Sequence, residues 1–142
     1  MTTTHVTTFD RSLQVTKVWL REVGHELGGA DEEQAFAAVR GVLQALRDRI
    51  PAAEATDFGA QLPLLLQGVY YHGWNPAKTP EKTRTAEAFL ERVSRGAQPD
   101  MDPRAAVSAV TRVISRHVTS GEQREVQSNL PADVRALWSE PA

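Results

Sequence analysis

The sequence predicts an all-α fold, a compact helical bundle made of two similar helical units. Three observations carry this expectation. Apolar residues recur at helical spacing along most of the chain, and no alternating strand pattern competes with them. Capping residues, glycines and prolines fall where helices should begin and end. The second half of the chain also repeats the first at a fixed offset.

In chain order, Phe9, Leu13, Thr16, Leu20, Val23 and Leu27 step by four and three and define one face of a first helix. Thr7 or Thr8 is placed to cap it, and Asp10 suits its positive end. Gly28-Gly29 should stop it, because glycine enters the left-handed region without a Cβ clash. Asp31 with Gln34 three residues on is a reciprocal capping pair for a second helix, whose apolar face is Phe36, Val39, Leu43, Leu46 and Ile50. Pro51 interrupts that helix, lacking the N–H the next turn needs. A short helix is expected over about 53–60, and another from Pro63 through "PLLLQGVYYH". Gly73, Pro76 and Pro80 mark a linker up to Arg84. Thr85 caps a helix bearing Phe89, Leu90 and Val93. Asp102-Pro103 opens another, bearing Val107, Val110, Ile114 and Val118. A final short pair, split at Leu130-Pro131, ends near Trp138.

The repeat is the most informative feature. "VRGVLQALRDRIPAAEATDFGAQLP" lies on "VSAVTRVISRHVTSGEQREVQSNLP" without a gap, and the offset is 68 at both ends (107 − 39 and 131 − 63). Val39 meets Val107, Leu46 meets Ile114, Phe58 meets Val126, Glu54 meets Glu122, and the Leu-Pro pairs coincide. Beyond them Tyr70 meets Trp138, and Tyr71 meets Ser139. Upstream, with a small shift, Trp19-Leu20 meets Phe89-Leu90 and Val23 meets Val93. The expectation is one domain over residues 1–142, with unit one at about 9–74, a linker at about 75–84 and unit two at about 85–138. Each unit would hold two longer helices and a short pair broken at Leu-Pro, the two units packing their apolar faces together.

"FDRSLQVTKVWLREV", "ALRDRIPAAEATDFGAQLPLLLQGVYYHGWNP", "TAEAFLERV" and "LPADVRALW" resemble a bacterial and archaeal family labelled domain of unknown function 2267. The likeness runs from Phe9 to Trp138, and "AQLPLLLQGVYYHGW" is its most specific block. The resemblance implies a small cytoplasmic helical protein. It supplies no reaction, cofactor or catalytic residue to carry over.

Composition narrows the function. A net charge of −2 lacks the basic excess of a nucleic-acid binder. Lys78, Lys82, Arg84, Arg92 and Arg95 alternate with Glu81, Glu87 and Glu91, the pattern of a solvated helix face. The longest apolar run, Leu64 to Leu66, is far short of the ~20 residues of a membrane span. The start "MTTTHVTTFD" lacks a basic and apolar leader pattern. The chain has no cysteine, which excludes disulfides, thiolate metal sites and cysteine nucleophiles and agrees with a cytoplasmic location.

Catalytic signals are weak. Glu22 and His25 form Glu-x-x-His, but a di-iron bundle needs a second copy, and the sequence has none. No Gly-x-Ser-x-Gly elbow and no phosphate-cradling glycine loop occurs. No catalytic residue, metal ligand or cofactor is assigned. An enzyme would need a cleft joining at least two of His25, His72, His117, Glu22 and Glu54. Arg40, Arg47 and Arg49 with Asp48 read as surface pairs, and Arg135 as a partner for Asp31 or Glu54.

The stretch "GVYYHGWNP" concentrates both tyrosines with a tryptophan and a histidine at the junction of the two units. As a corner, it would end the first unit with a core ring at Tyr70 and anchor the linker through Trp74. As a site, Tyr70, Tyr71, His72 and Trp74 would form an aromatic interface for a partner. The function expected is a non-catalytic protein-interaction or regulatory module, binding a protein partner or itself. The alternative is a small apolar-ligand binder with a cavity lined by Leu43, Leu46, Leu65 and Val110.

Overall fold

A computed structural model describes residues 4–138. Their regular structure is entirely helical: α1 (Thr7–Glu26), α2 (Glu32–Arg49), α3 (Ala52–Gly59), α4 (Leu64–Tyr71), a 3-10 turn (Pro76–Lys78), α5 (Ala86–Gly96), α6 (Pro103–His117), α7 (Ser120–Ser128) and α8 (Ala132–Trp138). No helix is long and apolar enough to cross a membrane among the described residues.

The local chemistry of the helix ends follows the sequence closely. The Asp31 carboxylate accepts from the Gln34 N–H at 2.9 Å and the Gln34 side chain accepts from the Asp31 N–H at 3.1 Å, a complete capping box. Thr85 caps α5 and Asp102 caps α6 ahead of Pro103. Gly28 and Gly29 take φ values of 85° and 104°, and the N–H groups of Gly29 and Ala30 close on the Gly24 carbonyl to end α1. At the start of α1 neither Thr7 nor Thr8 caps. Instead Thr4 folds back, and its N–H and hydroxyl donate to Asp10 Oδ1 at 2.8 and 2.9 Å.

Helix α2 is the axis of the bundle. It is buried round most of its circumference, through Ala35, Ala38, Val39, Val42, Leu43, Ala45 and Leu46. A helix with so wide an apolar surface must be covered on several sides; α1, α4, α5 and α6 pack round this one. Its small residues allow close crossing. A Cβ added at Gly41 would stand 2.6 Å from the Val93 carbonyl oxygen, and one at Gly96 would stand 2.9 Å from the Gly41 Cα.

The packing partners form a regular pattern. Helix α1 packs on α2 and α4, and α5 packs on α6 and α8. Across the halves, α1 meets α6, α2 meets α5, α2 meets α6, and α3 meets α7. The short helices are tied to the long ones by side chains that satisfy orphan N–H groups. Ser12 of α1 accepts from the Leu65 N–H of α4 at 2.7 Å, and Asp133 of α8 accepts from the Ala86 N–H of α5 at 2.6 Å.

Three sequence expectations are corrected here. The buried face of α1 is Ser12, Thr16, Trp19 and Val23, flanked by Leu20 and Leu27, whereas Phe9 is exposed. The polar Ser12 lies inward because it caps α4. Arg47 is no surface residue: it is 3% exposed, its guanidinium bonded to Asp48 and to the carbonyls of Tyr70 and His72. Arg135 binds neither Asp31 nor Glu54; it donates to the Gln127 and Leu130 carbonyls, closing the end of α7.

Candidate protein-interaction surface

The junction aromatics divide between the core and the surface. Tyr70 is fully buried; its hydroxyl donates to the Ala55 carbonyl at 2.7 Å, and burial pushes its phenol far above the usual range. Its ring meets Phe58 edge-on at 5.7 Å and Tyr71 at 4.9 Å, and Tyr71 leans on Trp74 at 5.4 Å. Tyr71 and Trp74 are half-buried, and His72 is exposed. Gly59 of α3 is the platform for both tyrosines, since a Cβ there would stand 2.3 Å from the Tyr71 hydroxyl and 2.9 Å from the Tyr70 ring. The Trp74 indole nitrogen is buried with no partner among the described residues. Gly73, at φ 77°, turns the chain out of α4. Ser139, the counterpart of Tyr71, lies outside the described residues.

Ionisable side chains of different helices meet in three places. Asp48 of α2 is held by Arg47 and by Arg92 of α5, each at 2.8 Å. Between α1 and α6, Glu22 accepts from Arg116 at 3.2 Å and lies 3.1 Å from His117 Nε2, while Glu26 pairs with Arg112 and Arg116. The Arg116 guanidinium holds Glu26 below the usual carboxylate range. His117 also stacks on Trp19, ring centroids 5.0 Å apart. Glu22 and Glu26 are thus helix-to-helix links, not free solvated charges. His25 is exposed and takes no part in this cluster's ion pairs. In the third place, Glu54 of α3 faces Glu122 of α7. An oxygen of each is closed off from solvent without a partner, and Glu122 is pushed up to about 8, first by burial and then by Glu54. Among the described residues no three His, Asp or Glu side chains converge in a group able to hold a metal ion.

The apolar surface has one concentration that the sequence reading missed. The large exposed hydrophobic residues among those described are Val6, Phe9, Val15, Leu64 and Leu65; Val6 immediately precedes α1, Phe9 and Val15 lie in its N-terminal half, and Leu64 and Leu65 start α4. Phe9 is 55%, Leu64 50% and Leu65 47% exposed. Three adjoining depressions run along this face. The first, about 240 Å³, lies among Arg11, Ser12, Val15, Pro63 and Leu64. The second, about 230 Å³, shares Ser12 and Leu64 and adds Phe9, Leu65 and Gly68. The third, about 330 Å³, shares Leu65 and Gly68 and continues over Val69, His72, Phe36, Arg40 and Gln44. His72 is the junction residue that joins this groove. Leu43, Leu46 and Val110 are closed in the core and Leu65 lies outside it, so these four do not line a common cavity. The signal available in the sequence was a contrast at the 68-residue offset: the residues 68 on from Leu64 and Leu65 are Ala132 and Asp133.

Comparison with curated proteins gives no match. The family model described as "Uncharacterized conserved protein (DUF2267)" matches residues 16–137, most of the chain, and the chain belongs to that family.

Proposed function

We propose that this chain is a non-catalytic protein-interaction module of the cytoplasm, built from two duplicated helical units, that docks a partner on the α1/α4 face. The observation that carries this reading is that, among the described residues, the exposed large apolar side chains gather at the start of α1 and of α4, and all but Val6 line the depressions there. Contiguous exposed apolar surface is costly in water and marks contact sites. The fold does not require it, because the second unit fills the same positions with Ala132 and Asp133, and Asp133 does structural work there. The duplication is supported by helix ends that correspond at the same offset: α3 begins at Ala52 and α7 at Ser120, and α4 begins at Leu64 and α8 at Ala132. The pairing of α1 with α6 is also the counterpart of α5 with α2.

Native mass spectrometry of the protein purified gently from its source tests the reading. A second polypeptide bound to the wild type and lost from Leu64→Asp/Leu65→Asp, with helicity by circular dichroism unchanged, is the result expected. A bare chain, a small-molecule adduct in place of a polypeptide, or a partner retained by the variant would overturn it.

A further inference from the structure

Resting on that reading, we infer that the occupant of the α1/α4 groove is an amphipathic helix of a different protein, with acidic residues flanking its apolar anchors. The shape argues for a helix. The groove follows α4 and its two flanking residues from Pro63 to His72, nine steps and therefore about 13 Å of helix rise. Anchors at i, i+4 and i+7 of a docked helix span about 10 Å, which matches three adjoining depressions divided by Leu64 and Leu65.

Gly68 argues that the space is kept open for such an occupant. It sits inside α4, where glycine is poorer than alanine by roughly 1 kcal/mol. A Cβ there would meet nothing within 4 Å, so packing does not call for its absence. Gly68 lines both the second and the third depression, and a side chain as long as leucine there would take up room in them.

Charge selects the partner. The side chains lining the groove that can carry charge are Arg11, Arg40 and His72, and no carboxylate lines any of the three depressions. Asp10, beside Arg11 in sequence, is turned to Thr4. Arg40 spends one N–H on the Gly96 carbonyl and lies 5.2 Å from the Phe36 ring centre, so its guanidinium is fixed at the rim. A second copy of this chain docked face to face would set these cations against each other. An acidic helix would satisfy them.

The test uses the whole protein and two designed helical peptides of about 18 residues. Both carry leucines at i, i+4 and i+7; glutamates flank them in one and lysines in the other. Fluorescence anisotropy should show the glutamate peptide binding at least about tenfold tighter than the lysine peptide. Gly68→Leu should abolish binding while the melting temperature stays level or rises, and Arg11→Glu should narrow the preference. Equal affinities, a preference for lysine, or binding unmoved by Gly68→Leu would overturn the acidic-helix assignment. So would dimerisation of the protein, by analytical ultracentrifugation, that Gly68→Leu disrupts, although the interaction-module reading would then stand. Failure of the module reading itself is seen separately, as a bare chain in the native mass spectrum.

Discussion

Arg92 of α5 meets Asp48 of α2 at 2.8 Å, and a second interhelical ion pair, Glu22 of α1 with Arg116 of α6 at 3.2 Å, is more open to solvent. Asp48 is the more enclosed acid, because Arg47 donates to both of its oxygens and also to the Tyr70 and His72 carbonyls at 2.9 and 2.8 Å. Those carbonyls close the end of α4. Removing the acid would leave a buried guanidinium without its counter-ion. Asp48→Ala should therefore cost about 3 kcal/mol in urea unfolding. Arg116→Ala, on the exposed pair, should cost about 1 kcal/mol or less.

Two glycine-to-alanine changes should act in opposite directions. At Gly59 the new methyl would press into the Tyr71 hydroxyl and the Tyr70 ring, which needs displacement of packed aromatics. Overpacking of this kind costs about 1–3 kcal/mol. At Gly68 the methyl meets open space on a helix, so Gly68→Ala should stabilise by roughly 0.5–1 kcal/mol. Thermal melts of the two variants side by side check both signs.

The junction should behave as a corner in stability measurements. Tyr70→Phe removes a buried hydroxyl and the bond it gives to the Ala55 carbonyl, at a cost of about 1 kcal/mol. Trp74→Ala strips a half-buried ring from Tyr71 and should cost about 2 kcal/mol, less than a fully buried tryptophan. Chemical denaturation measures both. A Trp74→Ala protein of unchanged stability that loses a partner would instead place the interface at the junction.

The Glu54–Glu122 contact sets a pH dependence. Glu122 is raised from the ordinary value of 4.5 to about 8, and the charged groups acting on it are Glu54 and Asp57 of α3 and Glu125 of its own helix, all acids. Its folded value exceeds its unfolded one, so the favourable contribution is complete below about pH 4.5 and fades as pH rises through about 8. Glu122→Gln should flatten stability across that interval and raise it at the alkaline end. A denaturation series from pH 5 to about pH 9 reads the difference.

Helix ends were legible because they are local. The Asp31 box, the Thr85 and Asp102 caps, and the Gly28-Gly29 stop each depend on residues within a turn of one another. The inner face of α1 was not, because Ser12 is buried by a bond to a helix more than fifty positions away. Arg47 read as a surface charge for the same reason: its partners at the end of α4 are distant in sequence. The exposed apolar face of α4 was hidden because "PLLL" suits a core helix equally well. Periodicity over eight residues does not say which side a neighbour covers. The contrast of Leu64-Leu65 with Ala132-Asp133 held that information.

The most direct test is photo-cross-linking in the source cells with a benzoylphenylalanine at position 64, and, as a control, at position 136, the exposed counterpart of Gly68 in α8. The account predicts one discrete adduct at position 64 and none at 136, with the cross-linked segment of the partner an apolar helix bordered by Asp and Glu. No adduct at position 64, or equal capture at both positions, would contradict it.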